Sequence, residues 1–131
     1  MAIELSTLAK QDTAEIQIMH PVTGAPLMDG DKPVKIVVYS TSSKEYRQQV
    51  ARMQNARLKR GAKLVATAES LEADGIELLV ACSKEAIGLE LNGEPIKSPE
   101  AFKELYSNPA FDWLREQVDA VIGDHANFLP Q

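Results

Sequence analysis

The chain has 131 residues, 44% of them apolar and 5% aromatic, which suits a single domain spanning residues 1–131 with its own hydrophobic core. Its net charge of −5 and its few aromatic side chains argue against a general nucleic-acid binder and against a base-stacking surface. Cys82 is the only cysteine, which excludes an intrachain disulfide and favours a reducing compartment. Residues 1–10 contain an early acid and no long apolar run, so we expect no secretion signal, no membrane span and a cytoplasmic location.

Positive charge is concentrated in residues 43–63, which hold half of the basic residues of the chain. These are Lys44, Arg47, Arg52, Arg57, Lys59, Arg60 and Lys63. Glu45 is the only acid among them, so the segment carries +6 and the rest of the chain −11. Opposed charges favour contact with an acidic macromolecule or with the acidic surface of another copy, and we predict that these seven residues bind protein. The alternative is a solvated helix end, in which the last basic residues complement the helix dipole.

Residues 13–40 are predicted to form an antiparallel β-hairpin with a long loop. The run 14–20 alternates polar with apolar positions after Ile16, and the run 34–39 is rich in β-branched residues. The connection, residues 21–33, concentrates Pro, Gly and Asp, which are typical of turns. Because an isolated two-stranded ribbon is marginal in water, we expect this loop to be mobile or held by a partner.

Residues 41–131 are predicted to form a mainly α-helical bundle of about four helices, giving an α+β fold. The first helix begins among the serines at 40–43, where Ser42 and Glu45 have the spacing of a capping box. Its apolar and basic residues fall on different faces, and Gly61 is a natural stop. This first helix is therefore amphipathic and basic.

A second helix is predicted over residues 67–87, where apolar side chains recur at helical spacing. Gly75 weakens its middle, since glycine in a helix costs about 1 kcal/mol relative to alanine, so two shorter helices broken at Asp74 and Gly75 are the alternative. The apolar run 76–82 indicates deep burial and leaves helix and strand open for that stretch. Beyond it, Asn92 and Gly93 predict a tight turn between two short extended segments.

Two more helices are predicted near the C-terminal end. Ser98 before Pro99 and Asn108 before Pro109 each offer a cap oxygen followed by a proline that needs no hydrogen bond. Both helices carry an apolar stripe for the core. Acids occupy mostly the other face of the last helix: Asp112, Glu116, Asp119 and Asp124. We expect these acids to be the counterpart of the basic segment, within the molecule or between copies.

No catalytic constellation is visible in the sequence. Asp29 and Asp31 flank Gly30, but the later ligands of a calcium loop are missing, so no metal site is predicted. His20 and His125 have no nucleophile beside them in sequence, and the motifs of phosphate loops, zinc proteases, redox cysteines and serine hydrolases are absent. We therefore predict a protein that is not an enzyme and that uses no cofactor and no small-molecule substrate.

Three stretches carry a resemblance to a known family. They are residues 16–27 (IQIMHPVTGAPL), the Ser/Thr-rich helix start at 40–43 leading into Tyr46 and Arg47, and residues 111–118 (FDWLREQV). In them the chain resembles the tail assembly chaperones of bacteriophages with long, non-contractile tails. The resemblance spans most of the chain and consists of a pattern of elements rather than a catalytic motif.

The resemblance implies a non-enzymatic protein that binds the tape-measure protein, keeps it soluble and helps to recruit tail-tube subunits around it. It also implies action in the cytoplasm of the bacterial host and absence from the finished virion. Such families often have a longer product made by a programmed ribosomal frameshift, and this chain would be the shorter one. The opposed charges add the expectation of a homo-oligomer.

Two other functions stay open on the sequence. The first is a structural connector or tail-completion protein that remains in the virion. The second is a small nucleic-acid-associated regulator whose basic helix contacts phosphates, against which the negative net charge argues.

Overall fold

A computed structural model of the chain describes residues 2–60 and 68–129. The strands are β1 (Thr13–Gln17), β2 (Met28–Asp29), β3 (Lys32–Pro33), β4 (Lys35–Tyr39), β5 (Ser83–Ile87), β6 (Glu90–Leu91) and β7 (Glu94–Pro95). The α-helices are α1 (Lys44–Arg60), α2 (Ala68–Cys82), α3 (Pro99–Ser107) and α4 (Asp112–Ile122). Short 3-10 turns lie at Leu5–Leu8, Pro109–Phe111 and His125–Phe128. The described residues thus form a mixed α+β fold of antiparallel strands and four helices, as predicted in outline.

The central sheet has three antiparallel strands in the order β1-β4-β5. The pairing of β1 with β4, from Thr13 opposite Tyr39 to Gln17 opposite Lys35, confirms the predicted N-terminal pair. The third strand was not predicted, because residues 83–87 were assigned to the end of a helix. Strand β5 pairs with the edge of β4 that a two-stranded ribbon would leave unpaired, and this tertiary hydrogen bonding outweighs local helix propensity.

The apolar run 76–82, for which the sequence left helix and strand open, is helical and belongs to α2. Gly75 does not interrupt it. The helix ends where Ser83 begins β5, and the Ser83 hydroxyl donates to the Leu79 carbonyl at 2.8 Å. Leu79 and Cys82 are buried, so the run faces the core as its composition indicated.

The 21–33 connection is tied to the hairpin by backbone hydrogen bonds, and its expected mobility or contact with a partner stays a prediction. The Ile18 and Leu27 amides donate to the Val34 and Ile18 carbonyls at 3.1 and 2.8 Å, and Val34 donates to Leu27 at 2.9 Å. Strands β2 and β3 form a small two-stranded ribbon next to these three hydrogen bonds. The Gln117 side chain also pairs with both backbone groups of Met19, at 2.8 and 2.9 Å, and so attaches the hairpin to α4.

Helix starts are set by side-chain caps. Ser43, rather than the predicted Ser42, accepts from the Tyr46 amide at 3.2 Å, because α1 begins one residue later than the capping-box spacing required. Ser98 caps α3, and Asn108 caps the 3-10 turn that leads into α4, as predicted. Gly61, the predicted stop of α1, lies outside the described residues.

One hydrophobic cluster joins the sheet to α2, α3 and α4. Its strand residues come from alternating positions, so one face of the sheet supplies the core. The fully buried members include Ile18, Ile36, Val38, Ile96, Tyr106 and Val118. Helix α1 contributes little to this cluster and packs mainly against α2. Most of its surface therefore remains available to solvent.

Candidate protein-interaction surfaces

Helix α1 presents a basic face to solvent. Its half-buried apolar residues, Tyr46, Val50 and Met53, recur at helical spacing and form the inner side. Basic residues lie away from this side, and the described side chains among them are all exposed: Lys44, Arg47, Arg52 and Lys59. The amphipathic pattern that was predicted thus places at least four of the seven candidate residues on the protein surface.

The charges of this face are not neutralised by the described part of the chain. Within residues 2–60 and 68–129, the side chains of Lys44, Arg47 and Lys59 form no ion pair. Arg52 makes one long hydrogen bond, from Nη1 to the Gln49 Oε1 at 3.4 Å. The described cations of α1 are therefore available to bind an acidic partner.

Three of the seven candidate residues are described only in part or not at all. Arg57 and Arg60 belong to α1, but their side chains lie outside the described part of the structure. Lys63 lies wholly outside it. Their predicted role in protein binding stays a prediction.

The first half of the basic face contains a shallow depression of about 400 Å³. Lys44, Arg47, Gln48 and Ala51 line it. These positions are three, four and seven residues apart, so they share one side of the helix. Ala51, one turn after Arg47, is the small residue at the end of this row and leaves an acidic side chain room to approach the two cations.

A second surface feature is a groove between α2 and α4. It consists of two adjoining cavities of about 250 and 170 Å³ that share Gly75, Leu79 and Asp119. A Cβ at Gly75 would meet no atom within 4 Å, so the groove is open above this glycine. Ile76 lines the larger cavity, and Tyr46, Leu78 and Ile122 line the smaller one. We refer to this feature as the α2–α4 groove.

The rim of the α2–α4 groove is acidic. Glu72, Glu116 and Asp119 lie there with one base, Arg115, so the rim carries a net −2. Arg115 pairs with Glu72 at 3.2 Å and joins the two helices. The carboxylates of Glu116 and Asp119 are exposed and make no ion pair with another described residue.

The ion pairs of the described residues do not join the acids Asp112, Glu116 and Asp119 of α4 to the described cations of α1. Acids and basic segment were predicted as counterparts within the molecule or between copies, and for Asp124 and for the basic residues outside the described part this stays a prediction. The groove itself was not predicted. Its sequence signals were Gly75 in the middle of a helix and the acids Glu116 and Asp119, but only the fold shows that α2 and α4 are neighbours.

Four other titratable residues were considered in the sequence analysis: His20, Cys82, Asp29 and Asp31. His20 Nδ1 accepts from the Val22 and Thr23 amides at 3.1 and 3.3 Å and so caps a turn. Burial, with a smaller effect of the Glu45 carboxylate, raises the pKa of the Cys82 thiol to about 12. Asp29 and Asp31 belong to no group of three or more metal-ligating side chains among the described residues.

Tyr106 and Ser83 form a buried polar contact, with 2.7 Å between their hydroxyl oxygens. Burial raises the pKa of Tyr106 to about 12, against the lowering effect of that hydrogen bond. Because the Ser83 hydroxyl donates to Leu79, the Tyr106 hydroxyl donates to Ser83. The pair thereby connects α3 to the junction of α2 and β5.

Comparisons with protein-family models, with curated proteins and with solved structures gave no match to this chain. None of the helices within residues 2–60 and 68–129 combines the length and apolar character needed to cross a bilayer.

Proposed function

We propose that the protein is a non-enzymatic phage tail assembly chaperone that binds the tape-measure protein and helps to recruit tail-tube subunits in the host cytoplasm. The resemblance of residues 16–27 and 111–118 to that family supports the proposal. The structural observation that carries it is the basic face of α1, whose described cations have no acidic partner among the described residues. In this proposal an acidic stretch of the tape-measure protein lies along that face.

The basic face suits reversible binding of a long client. An exposed ion pair contributes only about 0.2–1 kcal/mol, so several cations must act together to hold one segment. Their positive field raises the rate of encounter with an acidic chain and makes binding sensitive to salt. A chaperone that leaves the particle after assembly benefits from contacts that are quickly made and broken.

The proposal is tested by capture of the tape-measure protein encoded with this chain. The two proteins are coexpressed, and the complex is purified through a tag on the chaperone. The double variant Lys44→Glu/Arg47→Glu reverses two exposed charges in the depression of α1, and we expect capture to fall about tenfold or more. Equal capture by this variant and the unchanged protein would remove the basic face from the mechanism.

The matched control is Lys84→Glu/Lys97→Glu. Both lysines are exposed, and the double change alters the net charge by the same amount but lies outside α1. We expect it to keep nearly full capture. A loss of equal size in both double variants would show that net charge alone governs binding.

Mass spectrometry of purified virions separates the chaperone from a structural connector or tail-completion protein. A chaperone is absent from the particle, whereas a connector is present at a fixed copy number. Detection of this chain in intact virions would contradict the proposal.

A further inference from the structure

The turn between β6 and β7 exposes an asparagine followed by a glycine. Asn92 and Gly93 are both exposed, and they connect Leu91 to Glu94, the last residue pair of the ribbon. Their φ angles of 56° and 82° are left-handed, as in the tight two-residue turns of β-hairpins. Glycine adopts this backbone without strain, so the residue after Asn92 carries no side chain.

The side-chain amide of Asn92 and the backbone nitrogen of Gly93 are both accessible for reaction. Among the described residues, neither of these groups forms a hydrogen bond. A Cβ at Gly93 would meet no atom within 4 Å, so the space around this residue is open and nothing shields its nitrogen. Because the nitrogen and the Asn92 Cγ belong to neighbouring residues, their effective concentration towards each other is high.

The β6–β7 ribbon is short enough to open briefly. Each strand has two residues, and the pairs are Glu90 with Pro95 and Leu91 with Glu94. A ribbon of this length is only marginally stable by itself, so local opening costs little free energy. Rotation of the Asn92 backbone out of the turn then brings the Gly93 nitrogen towards Cγ.

The other three asparagines of the chain are held in surroundings that oppose the same reaction. Asn55 lies inside α1, where the next backbone nitrogen is fixed by helical hydrogen bonding. Asn108 precedes Pro109, whose nitrogen carries no proton. The Asn127 side chain donates to the Val121 carbonyl at 3.3 Å. They serve as internal controls.

We propose that Asn92 is a site of spontaneous deamidation and that its isoaspartate product opens the β6–β7 ribbon. The Gly93 nitrogen attacks the Asn92 Cγ and forms a C–N bond, and the side-chain amide leaves as ammonia with the proton of that nitrogen. Water then adds to one of the two carbonyls of the cyclic imide and breaks its bond to nitrogen, which takes up a proton. The product is aspartate or isoaspartate, each with one new carboxylate.

The two products differ in their effect on the backbone. Aspartate keeps the original chain path and tolerates a left-handed φ, so the ribbon stays paired. Isoaspartate directs the chain through the side-chain methylene, which lengthens the turn by one atom and shifts β6 against β7. Leu91 then loses its packing against the core, and the Ile96 amide loses its 3.3 Å hydrogen bond to the Leu89 carbonyl. The effect is local to the ribbon.

Incubation of the full chain in H₂¹⁸O at mildly alkaline pH tests the reaction. The protein is then digested in ordinary water at acidic pH, so that only deamidation during the incubation carries the heavy oxygen. We expect the peptide with Asn92 to gain about 3 Da. Its conversion should be about tenfold or more faster than that of the peptides with Asn55, Asn108 and Asn127. Equal rates at all four asparagines, or no conversion at Asn92, would overturn the proposal.

Hydrogen exchange tests the opening of the ribbon. The isoaspartate form is separated by ion exchange and identified by fragmentation, and we expect its Ile96 amide to exchange about tenfold or more faster than in the unchanged protein. Asn92→Asp is the matched control, because it has the same charge with a normal backbone, and its Ile96 amide should exchange at the original rate. Original exchange in the isoaspartate form, or equally fast exchange in Asn92→Asp, would contradict the opening by a lengthened backbone.

Discussion

Gly75→Ala is expected to stabilise the protein. Gly75 lies inside α2, and replacing glycine by alanine in a helix interior contributes about 1 kcal/mol through a smaller loss of backbone entropy. The new Cβ would meet no atom within 4 Å, so the substitution adds neither a clash nor a packing contact. The whole effect should therefore come from helix propensity.

The size of the effect follows from the length of the chain. With an unfolding entropy of about 2.1 cal/mol/K per residue, 131 residues give about 0.28 kcal/mol/K. A gain of about 1 kcal/mol then raises the melting temperature by about 4 °C. Urea denaturation at low protein concentration measures the same gain without interference from self-association.

Ala73→Gly is the matched control. Ala73 is an exposed residue of the same helix, two positions before Gly75, and its replacement should cost about the same 1 kcal/mol that Gly75→Ala contributes. Opposite shifts of similar size confirm a helix that is continuous through residue 75. A destabilised Gly75→Ala variant would refute the reasoning, because it would mean a broken helix or a closed groove at this position.

Two more predictions concern the core. Tyr106→Phe removes the hydroxyl that donates to Ser83 at 2.7 Å and should lower the free energy of unfolding by about 1 kcal/mol in urea; an unchanged stability would contradict the role given to this pair. Cys82 has a pKa raised by burial from 9.0 to about 12, and Tyr106 from 10.0 to about 12, so the unfolded chain loses these protons at lower pH than the native one. The stability linked to keeping the Cys82 thiol and the Tyr106 hydroxyl protonated is therefore complete below about pH 9. It should be lost as the pH rises from 9 towards 12. Calorimetry across that range checks the sign, and a melting temperature that rises with pH would oppose it.

The elements predicted correctly from sequence have local causes. The β1–β4 pair follows from alternation and β-branched residues, and Ser98 caps α3 through its own side chain. The turn between β6 and β7 forms at Asn92 and Gly93, whose φ angles of 56° and 82° suit these two residue types.

The features that sequence analysis missed depend on contacts between distant residues. Strand β5 is a strand because it pairs with β4, almost fifty residues earlier, and nothing in its own composition outweighs helix propensity. The attachment of the hairpin to α4 depends on the Gln117 side chain, which reaches the backbone of Met19. The α2–α4 groove likewise exists only once two separate helices pack together, whereas the basic face of α1 arises from a single helix and was predicted in outline.

The central claim is that the basic face of α1 binds an acidic client, and lysine labelling tests it most directly. The protein is acetylated with and without a saturating amount of the tape-measure protein, at a concentration below self-association, and each lysine is quantified by mass spectrometry. The account predicts that labelling of Lys44 falls in the complex, while Lys84 and Lys97 react as before. Full labelling of Lys44 in the complex, with protection at Lys84 or Lys97, would contradict it.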